Sequence, residues 1–310
     1  MTASEPEHLT VTVEQRSRAD AAVAKLAGIS RTKAVQWIQR GLVTVNSEQA
    51  VKSTRVAPGD ILSVILPNDP DPLEVKAELV QDLIIVADEE DYVVVEKPVG
   101  VAAHPSQGWK GPTVVGGLAA LGIDVATSGP PERQGIVQRL DVGTSGLMVV
   151  AKTEVGYSRL KQAFHDRTPQ RHYHALIEGL PDPLNGTINA PIDRQPGYEW
   201  RFGVVEGGKE ALTVYKTLES FGTATLVDVE LLTGRTHQIR VHFSALKHPL
   251  VGDLTYDADA QLAAKLGLTR QWLHAVGIAF EHPVTGQRVS YSSPYPDDLR
   301  YALERLRDYG

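Results

Sequence analysis

Between Gln81 and Gly310, this 310-residue chain is built from short β-type runs that come in adjacent pairs, and this spacing narrows its possible folds more than any other feature. The runs are Leu83–Ala87, Tyr92–Glu96, Leu147–Ala151, Tyr173–Ile177, Ala211–Lys216, Thr225–Leu232 and His237–Phe243; helical patterns are fewer, at Val114–Leu121, Tyr157–Ala163, Ala258–Leu266 and Asp298–Arg307. A doubly wound parallel sheet needs strands that alternate strictly with helices. Paired strands instead predict an α+β fold with a mixed, largely antiparallel sheet.

Ahead of this region the sequence predicts three smaller pieces. Residues 1–10 read as an acidic, disordered tail, residues 11–66 as a small α/β module, and residues 67–80 as a linker opened by the proline-rich acidic run Pro67-Asn68-Asp69-Pro70-Asp71-Pro72. Within the module, Ser30 is a good N-cap and Gly41 a good residue past a C-terminus, so Arg31 to Arg40 is expected to be a helix with Ala34, Val35 and Ile38 turned inward. Strands are expected at Leu42–Val45 and Ile61–Leu66. Residues 81–310 form the larger domain.

Charge separates the same regions. The chain as a whole carries a formal net charge of −7, which argues against a protein that coats nucleic acid with its entire surface. Between Val11 and Asp60, however, eight basic residues (Arg16, Arg18, Lys25, Arg31, Lys33, Arg40, Lys52, Arg55) face four acidic ones (Glu14, Asp20, Glu48, Asp60), a local net of +4. With no cysteine, disulfides, thiolate nucleophiles and cysteine-bound metal clusters are excluded. The longest apolar runs have strand length and the first eight residues are polar, so the sequence predicts no membrane span and a cytoplasmic location.

Three segments stand out as candidates for chemistry. Arg139-Leu140-Asp141-Val142-Gly143-Thr144-Ser145-Gly146 sets a carboxylate near a guanidinium in a small-residue turn, and a neighbouring cation favours the ionised carboxylate that a nucleophile or general base requires. Arg171-His172-Tyr173-His174 places Tyr173 on one strand face and both histidines on the other. Two histidines at that spacing can bind zinc, but no third ligand is nominated, so no metal is expected. Thr233-Gly234-Arg235-Thr236-His237-Gln238-Ile239-Arg240-Val241-His242 reads as a strand, with Asp141 as the carboxylate for a buried Arg240.

Together these runs resemble the RluA/RluD-type pseudouridine synthases. Arg139 to Gly146 matches the family's first motif except at its leading position, where Gln138 stands in place of histidine; Arg171 and Tyr173 match the second motif, and Thr233 to His242 matches the third throughout. Lys97-Pro98-Val99-Gly100, His104-Pro105 and His248-Pro249-Leu250-Val251-Gly252-Asp253 match flanking pieces. Separately, Gly28 to Asp60 resembles the alpha-L, or S4-like, RNA-binding domain.

The resemblance implies an isomerase that converts uridine to pseudouridine in large-subunit ribosomal RNA, with no cofactor and a pseudouridine synthase fold. It implies Asp141, Tyr173 and Arg240 as catalytic residues, and Arg139, Ile239, Arg235 and His237 as substrate-binding residues. Arg31, Lys33, Arg40 and Lys52 would contact phosphates from the amino-terminal module. The implied partner is ribosomal RNA or a pre-ribosomal large-subunit particle, met by a monomer. A non-catalytic ribosome-assembly factor would use the basic module alone, and a glycosidase would need a second carboxylate that no motif nominates.

Overall fold

In the computed structural model the chain divides into two units, residues 1–71 and 72–310. The structure describes residues 8–29, 31–66, 75–106, 108–198 and 200–309. The first unit runs β1 (His8–Thr12), β2 (Ser17–Arg18), α1 (Ala19–Ala27), α2 (Arg31–Gln39), β3 (Val43–Val45), β4 (Glu48–Gln49), β5 (Arg55–Val56) and β6 (Ile61–Ile65). Residues 8–10, assigned to a tail from sequence, belong to β1. They pair antiparallel with β6 and so extend a four-stranded sheet ordered β1-β6-β3-β4.

Alternation along β6 turns Leu62 and Val64 into a small core with Val23 of α1 and Ala34, Trp37 and Ile38 of α2. On α2, Trp37 takes the inner place expected of Val35, which is half-buried. The proposed Ser30 cap lies outside the described residues. The alanine-rich helix α1, unforeseen from sequence, ends at Gly28 in the left-handed region, φ +65°. Its buried Asp20 accepts from Arg18 at 3.0 Å and from Arg31 at 2.9 Å.

The second unit comprises β7 (Ile84–Asp88), β8 (Tyr92–Lys97), α3 (Val114–Ala120), β9 (Ser145–Ala151), α4 (Glu154–His165), β10 (Gln170–Glu178), β11 (Asn185–Asn189), β12 (Ile192–Arg194), β13 (Phe202–Val204), β14 (Leu212–Ser220), β15 (Ala224–Leu231), α5 (Gln238–Ala245), α6 (Ala260–Leu266), β16 (Leu273–Glu281), β17 (Arg288–Ser292) and α7 (Asp297–Tyr309). A nine-stranded sheet runs β11-β14-β15-β10-β16-β9-β8-β7, with β17 also on β16. Within it β9 and β16 pair in parallel and the other neighbours are antiparallel. This is the mixed, largely antiparallel α+β sheet that paired strand runs predict. The end of the proposed linker lies along this unit, since the Glu78 N–H donates to the Gly116 carbonyl at 3.2 Å and Val80 packs on the core.

Both faces of the sheet are covered. Tyr173, Ala175 and Ile177 share one face with Val93, Val95, Met148 and Val150, under Leu118 of α3 and Ile239 and Phe243 of α5. On the other face, Leu176 and Leu226 meet α6 and α7, while Val94, Leu147 and Val149 meet Tyr157 and Leu160 of α4.

One element differs from its expected type. The segment His237–Phe243 is not a strand; helix α5 starts at Gln238, and His237 precedes it at φ +56°. Residues Gln238 to Phe243 are all buried, so no polar and apolar face contrast at helical spacing was available to reveal it. Its polar groups find partners inside instead. Gln238 Nε2 donates to the Leu212 carbonyl and Thr213 Oγ1, both at 2.9 Å, and its Oε1 accepts from the Arg235 N–H at 2.9 Å.

Candidate active site

Asp141 opens a tight turn closed by the Thr144 N–H donating to the Asp141 carbonyl at 3.0 Å, and Ser145 then starts β9. Small residues are required because the turn is walled in. A Cβ on Gly143 would stand 2.5 Å from Gln271 Oε1, and one on Gly146, at φ +111°, would stand 2.4 Å from the Ala275 carbonyl oxygen. Lys97, fully buried at the end of β8, donates to the carbonyls of Pro98 and Val101 at 2.8 Å and approaches that of Val142 at 3.4 Å. A buried ammonium thus ties the turn that carries Asp141 to the preceding loop.

The guanidinium that reaches Asp141 belongs to Arg240, three residues into α5. Its Nε and Nη2 make a bidentate pair with Asp253 at 2.6 and 2.8 Å, and its Nη1 faces Asp141 Oδ2 at 3.3 Å. Asp141 is therefore a partner of Arg240, as expected from sequence, but the second of two, since Asp253 makes the closer, bidentate pair. Two strong charge-assisted bonds to Asp253 fix the plane of the guanidinium, and the remaining donor is aimed by that geometry. Arg139, nearer in sequence, turns away and donates from Nη2 to Thr236 Oγ1 at 2.7 Å.

Tyr256 and His237 complete this wall. The Tyr256 ring centroid lies 5.0 Å from Arg240 Cζ, its hydroxyl is 2.8 Å from His237 Nδ1, and His237 Nε2 is 3.8 Å from Asp141 Oδ2. Burial shifts several titratable groups here. It pulls Arg240 down, but the hydrogen bonds and charge of Asp253, with the charge of Asp141, outweigh it and hold the guanidinium above its ordinary value. Burial lowers His237 despite the opposing charge of Asp141, and pushes Lys97 down to about 7 against the same charge. Tyr256 is pushed up to about 12 by burial, and Tyr173 is raised by burial and by Asp141. Around Asp141 the site thus presents protonated phenols and a fixed cation.

Three cavities, of about 570, 300 and 50 Å³, meet at Asp141 and Arg139, which line all of them. The larger two have the size of ligand sites. Tyr173 and Arg235 line the largest, His237 and Arg240 the second, and Ile239 the smallest. All seven residues singled out for catalysis and substrate binding therefore border one connected region. The largest cavity carries Arg133, Arg139, Lys161, Arg167, Arg171 and Arg235 on its walls, and Asp141 is its one acid.

The remaining candidates lie elsewhere. His172 Nδ1 and His174 Nε2 face Asp228 at 3.2 and 3.7 Å, on the sheet face opposite Tyr173. Among the described residues, no group of three or more potential ligands is placed to hold a metal ion. Arg31, Arg40 and Lys52 are exposed on the first unit, and the side chain of Lys33 lies outside the described residues. Asp253 and Tyr256 were not assigned a role from sequence. The buried arginine in the third motif called for a carboxylate, and Asp253, thirteen residues downstream of Arg240, could be added to Asp141 only in three dimensions.

Comparison with known proteins agrees with this geometry. The family model described as RNA pseudouridylate synthase matches residues 91–245, and the S4 domain model matches residues 17–62. An RNA pseudouridine synthase of Mycobacterium bovis is 54% identical over 94% of this chain and 95% of its own length. The ribosomal large subunit pseudouridine synthase D of Nitrosomonas europaea is 38% identical over 94% of this chain and 85% of its own. The solved structure of human RNA pseudouridylate synthase domain containing 1 superposes with a TM-score of 0.57, at 26% identity, over 73% of this chain and 95% of that one. The chain belongs to the RNA pseudouridylate synthase family. It is an isomerase, with an S4 domain ahead of its catalytic region. Among the described residues, no helix is long and apolar enough to cross a membrane.

Proposed function

We propose that this enzyme isomerises uridines of large-subunit ribosomal RNA, free or in a pre-ribosomal particle, with Asp141 as its nucleophile or base. The observation that carries the reading is the junction of three cavities at one carboxylate, faced by a guanidinium that Asp253 holds in place. The name of the Nitrosomonas relative supports the choice of large-subunit RNA.

The reaction breaks the bond from ribose C1′ to uracil N1 and joins C1′ to C5 after the base has turned. A proton leaves C5 and one is gained at N1, so composition is unchanged and no redox cofactor is needed. Asp141 attacks the sugar or the uracil ring, or accepts a ribose proton. Each route requires the carboxylate that Arg240 faces. Reaching a paired uridine means flipping it out, at a cost of about a few kcal/mol. Stacking on Tyr173 offsets roughly 1–3 kcal/mol of this, while Arg139 contacts the displaced base or the phosphates, Ile239 lines the pocket, and Arg235 and His237 flank the base.

The module over residues 11–66 adds sequence-independent phosphate contacts through Arg31, Lys33, Arg40 and Lys52, with residues 67–80 as its connection to the catalytic domain. The enzyme works as a monomer in the cytoplasm. Transcripts of large-subunit RNA tritiated at uridine C5 test the proposal. Wild type is expected to release tritium and Asp141→Asn about 10⁴-fold less; the absence of release from every large-subunit fragment by wild type overturns it.

A further inference from the structure

Two buried side-chain nitrogens in the catalytic unit have no hydrogen-bond partner among the described residues, Gln138 Nε2 and Arg171 Nε, and both residues line the largest cavity. Buried polar groups in native proteins are overwhelmingly paired, so two orphan donors beside one cavity call for an explanation. Arg171 is the stronger case. It is only 9% exposed, its Nη2 donates to the Leu231 carbonyl at 2.7 Å, and its Cζ lies 5.6 Å from the Phe164 ring centroid. No carboxylate among the described residues pairs with it, and burial lowers its pKa with only Tyr173 acting in the other direction. Of the other cations on this cavity, Arg167 is neutralised by Glu210 at 2.5 Å and Arg133 by Glu132 at 3.5 Å, while Arg139, Lys161 and Arg235 donate to the neutral groups Thr236 Oγ1, Tyr157 OH and the Glu210 carbonyl.

Gly234 keeps the space beside this guanidinium open, since a Cβ there would lie 3.0 Å from Arg171 Nη1. Gln138 brings a neutral donor to the same cavity, at the position where this chain departs from the family's first motif. An uncompensated buried cation is costly unless an anion meets it. Gln138 Nε2 can turn to an acceptor in the cavity without losing a hydrogen bond of its own, and Arg171, held at Nη2 by the Leu231 carbonyl, keeps its Nε for the same acceptor.

We propose that Arg171 and Gln138 form a phosphate subsite in the largest cavity, taking a phosphodiester group of the RNA whose uridine sits at Asp141. This rests on the reading of Asp141 given above. Arg171 supplies the charge and Gln138 a neutral hydrogen bond. The subsite holds the RNA backbone beside the flipped uridine and takes no part in bond breaking.

The test is binding of a fluorescent nonauridylate to the full chain across a salt series, which needs no knowledge of the natural target. For Arg171→Gln the affinity is expected to fall about tenfold, and the slope of log K against log salt to shrink by about 0.7, the value for one lost phosphate contact on a single strand. Gln138→Leu is expected to lower affinity with the slope unchanged, and Arg171→Lys to restore the slope. Thermal melting reports folding for each variant. If Arg171→Gln does not fold, the Gln138→Leu and Arg171→Lys results decide. A wild-type slope in folded Arg171→Gln, or wild-type affinity in Gln138→Leu, overturns the subsite. Tritium release is scored separately: an enzyme that releases none yet shows the slope change loses the proposed reaction and keeps the subsite, and the converse loses only the subsite.

Discussion

Two buried arginines border the same region of this enzyme in opposite electrostatic settings. Arg240 has two carboxylates, Asp253 in a bidentate pair and Asp141 on its remaining nitrogen, and it rests on Tyr256. Arg171 has none; a backbone carbonyl and the face of Phe164 are its neighbours. The first setting spends the charge of the arginine on fixing a carboxylate, and the second leaves the charge for something that enters. A cation saturated by the protein positions its partners, whereas an unsaturated one selects a ligand.

The comparison can be broken from the Arg240 side first. Asp141→Asn preserves size and removes the reactive carboxylate, so tritium release is expected to fall about 10⁴-fold with little change in melting temperature. Asp253→Ala converts the Arg240 wall into one resembling that of Arg171. Leaving a buried cation without its bidentate partner costs about 3–5 kcal/mol, read as a lower denaturant midpoint, and turnover falls because Arg240 is no longer aimed at Asp141.

Lys97 probes the floor beneath the Asp141 turn. Its folded pKa of about 7 lies below the unfolded value near 10.4, so between these pH values the unfolded chain binds more protons and stability rises with pH. Lys97→Met is expected to flatten that rise by up to about 1.4 kcal/mol per pH unit in chemical denaturation between pH 7 and 9. A pH profile with unchanged slope would place the charge of Lys97 outside the folding balance.

Gln138→Glu sharpens the Arg171 side, because it offers a carboxylate where a phosphate is expected to bind. Nonauridylate affinity should fall about threefold to tenfold while melting temperature holds or rises. The smallest effect belongs to the first unit. Arg40→Gln should reduce the salt slope for ribosomal RNA binding by about 0.7–0.9 and leave turnover of saturating RNA unchanged.

Much of this arrangement was legible in the linear chain. Turn residues around Asp141, strand alternation about Tyr173 and the density of polar residues from Thr233 to His242 all marked positions that border the cavities. Strand pairing predicted the sheet type because apolar runs of strand length need neighbours at close sequence distance. The type of the 237–243 segment was illegible for a physical reason: a helix buried on every side loses the contrast by which helical period is recognised. Helix α1 was missed although Gly28 ends it, since Arg18 stands at its start with no side-chain cap to mark where it begins.

By itself the sequence determined which chemistry this protein brings: a carboxylate, a phenol, guanidinium groups and no thiol, placed in turns and strand ends where side chains remain reachable. It also determined the small residue at 146 that lets the Ala275 backbone approach and the one at 143 that leaves room for the Gln271 side chain. Only the tertiary structure decided how the charges pair. Asp253 rather than Asp141 holds Arg240 in a bidentate grip, Arg139 turns to Thr236, and Arg171 is left without a carboxylate. Charge pairing depends on distance and orientation in a low-dielectric interior, and those are set by how strands and helices far apart in sequence pack together.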